Sequence, residues 1–140
     1  MAEPTEPTGS TVPRVTLNLF RGCLVATMQV DLTAGVIARF QQDLLAQLAT
    51  TRATRVIFDC SGVEVLDPEE FEGLRRVAAM ARLLGARVVL AGLRPGVVAA
   101  LIAMGVEGGG LPAALSLDDA FDVHDRADQE ADATEGDHDG

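Results

Sequence analysis

Apolar positions change period several times along this chain. "VTLNLF" and "CLVATMQV" are β-rich runs parted by Arg21-Gly22, a pair suited to a tight turn, so a first hairpin is predicted. Asp31 or Thr33 then caps a helix running to about Leu48, where Val36, Ile37, Phe40, Leu44, Leu45 and Leu48 recur at helical spacing. "RVIFDC" and "RVVLAG" are short, continuously apolar runs of the kind that form buried strands. Between them Phe71, Leu74, Val77, Ala78, Ala81 and Leu84 form a second helical stripe, with Gly85 as its stop. Pro95 opens a third helix carrying Val97, Val98, Leu101 and Ile102 before Gly105. Ser116, with Asp119 three residues on, caps a last short one. Strands alternating with helices predict an α/β domain whose mixed central sheet is covered by about four helices.

The start of the second helix is stated most clearly. In "LDPEEFEGL", Asp67 is a good N-cap and Pro68 suits the first helical position, where its missing N–H has no intrahelical partner. Glu69 and Glu70 favour the positive end of the helix dipole. The same three carboxylates, Asp67, Glu69 and Glu70, are also the only grouping that suggests general acid–base chemistry. Solvation and capping account for them without it.

Charge changes the picture once it is divided along the chain. The net charge is −10, yet from Asp118 onward ten Asp or Glu face one Arg, net −9, which leaves residues 1–117 at −1. The domain is nearly neutral, and the acidic end disfavours nucleic acid as a partner. Three parts are expected: a flexible segment at 1–13 rich in Pro, Thr and Ser, a folded domain at 14–124, and an acidic, disordered tail at 125–140. His124 and His138 stand among the tail's aspartates, where nothing fixes a metal-ligand geometry, so a solvated tail is expected rather than a metal site.

Other chemistry is poorly supported. The chain has no Lys, hence no P-loop lysine and no Schiff base, and "GVEGGG" leads into Leu-Pro rather than a phosphate-binding helix; it reads as a flexible connection. With both histidines placed outside the folded part, a Ser-His or Cys-His pair is not expected. Cys23 and Cys60 lie in apolar runs without metal-ligand spacing and are expected to be buried and reduced. No apolar run approaches the about 18 residues of a membrane span and no leader opens the chain, so a cytoplasmic protein with no membrane partner, no cofactor and no enzymatic activity is expected.

Residues 15–123 resemble the single-domain stressosome proteins of the RsbS type, which carry a STAS domain and are relatives of the bacterial anti-sigma-factor antagonists. The resemblance rests on "NLFRGCLVATMQVDLTAGVIARFQQDLL", on "VIFDCSGVEVLD" and above all on "AAMARLLGARVVLAGLRPGVVAALIAMGVE". It implies a noncatalytic scaffold that co-assembles with RsbR-type STAS partners into a large oligomer and captures an RsbT-type serine kinase. It also implies a phosphoacceptor hydroxyl directly after the aspartate that ends the "DCSGVEVLD" segment. Here that position is Pro68, which accepts no phosphate. Glu69 and Glu70 then either supply fixed negative charge beside the lost site or are simply good helix-start residues. Thr33, close to a second acceptor of RsbR-type partners, and Ser61, in the turn after "VIFDC", are the remaining candidate hydroxyls. Each also has an ordinary role, in a helix start and a turn respectively. A stand-alone STAS module that antagonises an anti-sigma factor or binds a small ligand is the alternative.

Overall fold

A computed structural model describes residues 14–106 and 110–139, with side chains to residue 132. The segment 1–13, the middle of the glycine-rich connection and the His138 side chain lie outside the described residues. The elements run β1 (Thr16–Phe20), β2 (Cys23–Thr27), α1 (Ala34–Thr51), β3 (Arg55–Asp59), α2 (Pro68–Leu83), β4 (Arg87–Ala91), α3 (Pro95–Ala103), β5 (Ala113–Ala114) and α4 (Leu117–Asp139). The elements other than β5 follow the order expected from the sequence, and the hairpin turns where Arg21 and Gly22 both take positive φ, 52° and 77°. Two such residues in succession match the right-handed twist of the flanking strands.

The five strands lie side by side in chain order. β1 is antiparallel to β2, while β2, β3, β4 and β5 are mutually parallel. Parallel neighbours need crossover connections, and the helices supply them. β2 ends at Thr27, before the end of its apolar run, although Met28 N–H still donates to Asp59 O at 3.0 Å.

Alternation along the strands divides the interior into two cores. One face presents Leu24, Ala26, Val56, Phe58, Val88 and Leu90 to the helices α1, α2 and α3, through side chains such as Phe40, Leu44, Leu74, Val77 and Leu101. The other presents Cys23, Val25, Ile57, Val89 and Ala91 to Ala120 and Phe121 of α4. Helices α1 and α2 cross closely, since a Cβ on Gly73 would lie 2.9 Å from Ile37 Cδ1.

The acidic end departs from expectation. Helix α4 continues through the stretch expected to be a disordered tail, and His124, expected in solvent, is 1% exposed. The reason is helical spacing of small and apolar residues within the acidic sequence: Ala120, Phe121 and His124 fall on one face against the sheet. Asp128, one further turn along, accepts hydrogen bonds from both Arg55 and Arg87, the first residues of β3 and β4. Arg55 also reaches Asp125 at 3.0 Å. The charged tail is thus tethered to two strand starts by arginines some forty and seventy residues earlier.

Candidate functional site

Thr33, Ser61, Asp67, Pro68, Glu69 and Glu70 lie in or directly after the loops that follow β2 and β3, at the carboxyl ends of those parallel strands. In open sheets of this kind, that end is where the chain leaves the strands and sites are assembled. Asp67 caps α2 as expected: its Oδ1 accepts from Glu70 N–H at 2.7 Å, and Glu70 Oε1 accepts from Asp67 N–H at 3.1 Å, a reciprocal capping box with Pro68 at the first turn. Glu70 is therefore committed to the helix start. Glu69, next to it, is exposed and takes no part in the box. Val65, two residues before the cap, is 71% exposed, an apolar side chain presented beside these acids.

Thr33 caps α1, its hydroxyl oxygen accepting from Val36 N–H at 3.3 Å, and is exposed. Of the two candidate caps for this helix, Thr33 rather than Asp31 does the work. Helices α1 and α2 meet where Ile37 approaches Gly73, and the residues that cap their starts, Thr33 and Asp67, are both exposed.

Ser61 is held in a turn clasped from both sides. Its N–H donates to Asp59 Oδ1 at 3.1 Å, and its carbonyl accepts from Arg94 Nε at 3.2 Å. A Cβ on Gly92, which has φ +75°, would stand 3.1 Å from Ser61 Cβ, and one on Gly62 would stand 3.0 Å from Met28 O. Both glycines are thus required by close approach of the loops after β2, β3 and β4. The Ser61 side chain remains at the surface of this rigid turn.

What the arrangement can do chemically follows from these commitments. Asp67 and Glu70 hold each other's backbone, Glu69 is solvated, and no charged pair is buried there to poise an acid or base. Among the described residues no three His, Cys, Asp or Glu side chains are gathered as metal ligands. Both cysteines are buried free thiols, and burial pushes Cys60 up to about 12. Cys60 Sγ rests 3.8 Å from Met28 Sδ. No helix among the described residues is long and apolar enough to cross a membrane.

The residues that sequence reasoning did not place are His124, Asp128, Arg55 and Arg87. His124 Nε2 lies 2.9 Å from Val56 O. A carbonyl only accepts, so this nitrogen carries the proton and donates it. Desolvation holds the imidazole below its ordinary pKa, with Arg87 and Arg55 acting in the same direction, so the ring is neutral at pH 7. The spacing of Ala120, Phe121 and His124 was the available signal, masked by the acids between them.

Comparison with known proteins agrees with this geometry. Residues 14–120 match the STAS domain family. No curated protein sequence matches. Among solved structures, an RsbS of Moorella thermoacetica bearing a serine-to-glutamate substitution is 25% identical, with TM-score 0.69 over 82% of this chain and 97% of that one. A structure described as the molecular architecture of the stressosome, a signal integration and transduction hub, is likewise 25% identical, with TM-score 0.69 over 80% and 97%. The murine Solute Carrier 26 family member A9 anion transporter shares the fold at 21% identity and TM-score 0.59, over 71% of this chain and 17% of the transporter. With the family match spanning most of the chain and the sheet order, crossovers and helix starts all in place, this chain belongs to the STAS-domain family.

Proposed function

We propose that this protein is a noncatalytic, stressosome-type STAS scaffold in bacterial stress signalling, assembling with RsbR-type STAS partners and presenting a surface to an RsbT-type serine kinase. The observation that carries the reading is the likeness to RsbS, which spans nearly the whole of that protein. The surface at the start of α2 supports it: rigid, exposed, and combining solvated acids with the apolar Val65. Mixed with an RsbR-type partner, the protein is expected to give a megadalton particle by light scattering. A small species under the same conditions would favour the stand-alone STAS module instead.

In this reading the switch residue has been lost. A phosphate adds nearly two negative charges at a helix start and three acceptor oxygens, whereas Pro68 offers no hydroxyl. Glu69 carries one charge, one position along, and Glu70 is occupied by the capping box. We therefore favour a non-switching scaffold over one fixed in a phosphorylated-like state. Incubated with an RsbT-type kinase and ATP, the protein is expected to remain unmodified by intact-mass analysis, while Pro68→Ser acquires one phosphate. Stoichiometric phosphate on Thr33 or Ser61 of the unaltered protein would overturn the claim.

A further inference from the structure

The first strand of the sheet is uncovered along its length. β1 stands at one edge of the five-stranded order, and from Thr16 to Phe20 only Leu17 is half-buried, its neighbours being exposed. Leu19 is 59% exposed and Phe20 56%. Edge strands are ordinarily guarded by a charge, a proline or a bulge, since their free N–H and C=O groups accept any further strand. β1 has none of these: it reads TLNLF and pairs one to one with Cys23–Thr27.

The register shows which peptide groups are open. Met28 N–H donates to Asp59 O, so by alternation Leu24 and Ala26 of β2 face β3, while Cys23, Val25 and Thr27 face β1. Their partners Phe20, Asn18 and Thr16 spend their backbone groups inside the hairpin, and Leu17 and Leu19 turn theirs outward.

We infer that the β1 edge pairs with the β1 edge of a second copy of this chain, antiparallel about a twofold axis through Asn18. About that axis Leu17 of each copy stands opposite Leu19 of the other, so the outward groups exchange both hydrogen bonds of a ladder pair. On the face toward α1, each half-buried Leu17 meets an exposed Leu19. On the other face Phe20 meets Thr16, and the two Asn18 amides meet each other.

Charge selects both this occupant and this edge. A residue on the axis meets its own copy, so a charge there would repel; Asn18 carries none, and neither does any residue from Val15 to Phe20. Arg14 falls opposite Gly22, and the Arg21 guanidinium is drawn over the Phe121 ring, 4.5 Å from its centroid. The acids behind nearly all of the net charge lie in α4, which packs on β3, β4 and β5, away from β1. A second copy approaching β1 therefore meets neutral surface, whereas approach at the β5 edge would bring two acidic helices together. The pairing concerns the protein alone and does not depend on the scaffold reading.

Sedimentation of the full chain should show a monomer giving way to a dimer as concentration rises. Over the same range the amides of Leu17 and Leu19 should gain protection from hydrogen exchange. Leu19→Lys should raise the dissociation constant by about tenfold or more. Ile102→Lys, which puts the same charge on the exposed side of α3, should leave it unchanged. Asn18→Asp and Asn18→Lys should each weaken self-pairing, and an equimolar mixture of the two should restore it, as a twofold through Asn18 requires. A monomer at every concentration would overturn the inference, even if the same protein builds a large particle with an RsbR-type partner, a result that would leave the scaffold reading standing. So would a dimer indifferent to Leu19→Lys. Protection of Leu17 and Leu19 that does not vary with concentration would also overturn it, since the chain would then cover its own edge.

Discussion

Phe58→Ala will lower the stability of the protein by about 3–5 kcal/mol, the range for removing a fully buried phenylalanine. Phe58 is 0% exposed on β3, the middle strand of the five, and meets Phe40 of α1 edge to face at 5.1 Å between ring centroids. Truncation removes the burial, the aromatic pair and the support that the strand gives to α1. The neighbours are poorly placed to collapse into the gap, because β3 is fixed by ladders on both sides. Set against a typical total of about 5–15 kcal/mol, the loss is a large fraction of what holds a domain folded. The chain has no Trp and no Tyr, so urea unfolding followed by far-ultraviolet circular dichroism is the suitable measurement. A lower midpoint at unchanged slope is expected. A loss under about 1 kcal/mol would mean that α1 settles onto the sheet and refills the site.

The second large effect is acid sensitivity in two steps. His124 is neutral in the fold because burial, with Arg87 and Arg55 nearby, depresses its pKa, whereas in the unfolded chain it titrates at about 6.5. Below that pH the unfolded state binds the extra proton first, so stability is full above about 6.5 and falls as pH drops towards the folded pKa. Asp128 adds the lower step. The hydrogen bond from Arg55, assisted by Arg87, holds its carboxyl below the usual range. Its contribution is present above the ordinary carboxylate pKa of about 4 and is lost as pH falls through the depressed folded value. Asp125, also paired with Arg55, stands in the same cluster. Urea midpoints from pH 8 to pH 3 should therefore decline first below about 6.5 and again below about 4. His124→Gln should flatten the first decline and Asp128→Asn the second. A midpoint constant between pH 7 and pH 5 in the unaltered protein would contradict the upper step.

Local chemistry made the scaffold of the fold readable. The Arg21-Gly22 turn, the caps at Thr33, Asp67 and Ser116, and the stop at Gly85 each depend on a few adjacent residues, and the structure has all of them. The candidate surface at Asp67 and Pro68 was legible for the same reason, with the resemblance to RsbS adding what its helix start implies. The seating of His124 and Asp128 was not. Their composition reads as solvent, and what docks them is a pair of arginines at the starts of β3 and β4, brought alongside only once the sheet is formed.

The two thiols give the molecule an internal pair of reporters. Cys23 lies beneath α4 and Cys60 in the core covered by α1, α2 and α3, each fully shielded and unpaired. A soluble thiol reagent gains access to either one only when its own side of the sheet opens. Their separate labelling rates thus distinguish peeling of the acidic helix from collapse of the whole domain, in a protein without an indole to watch.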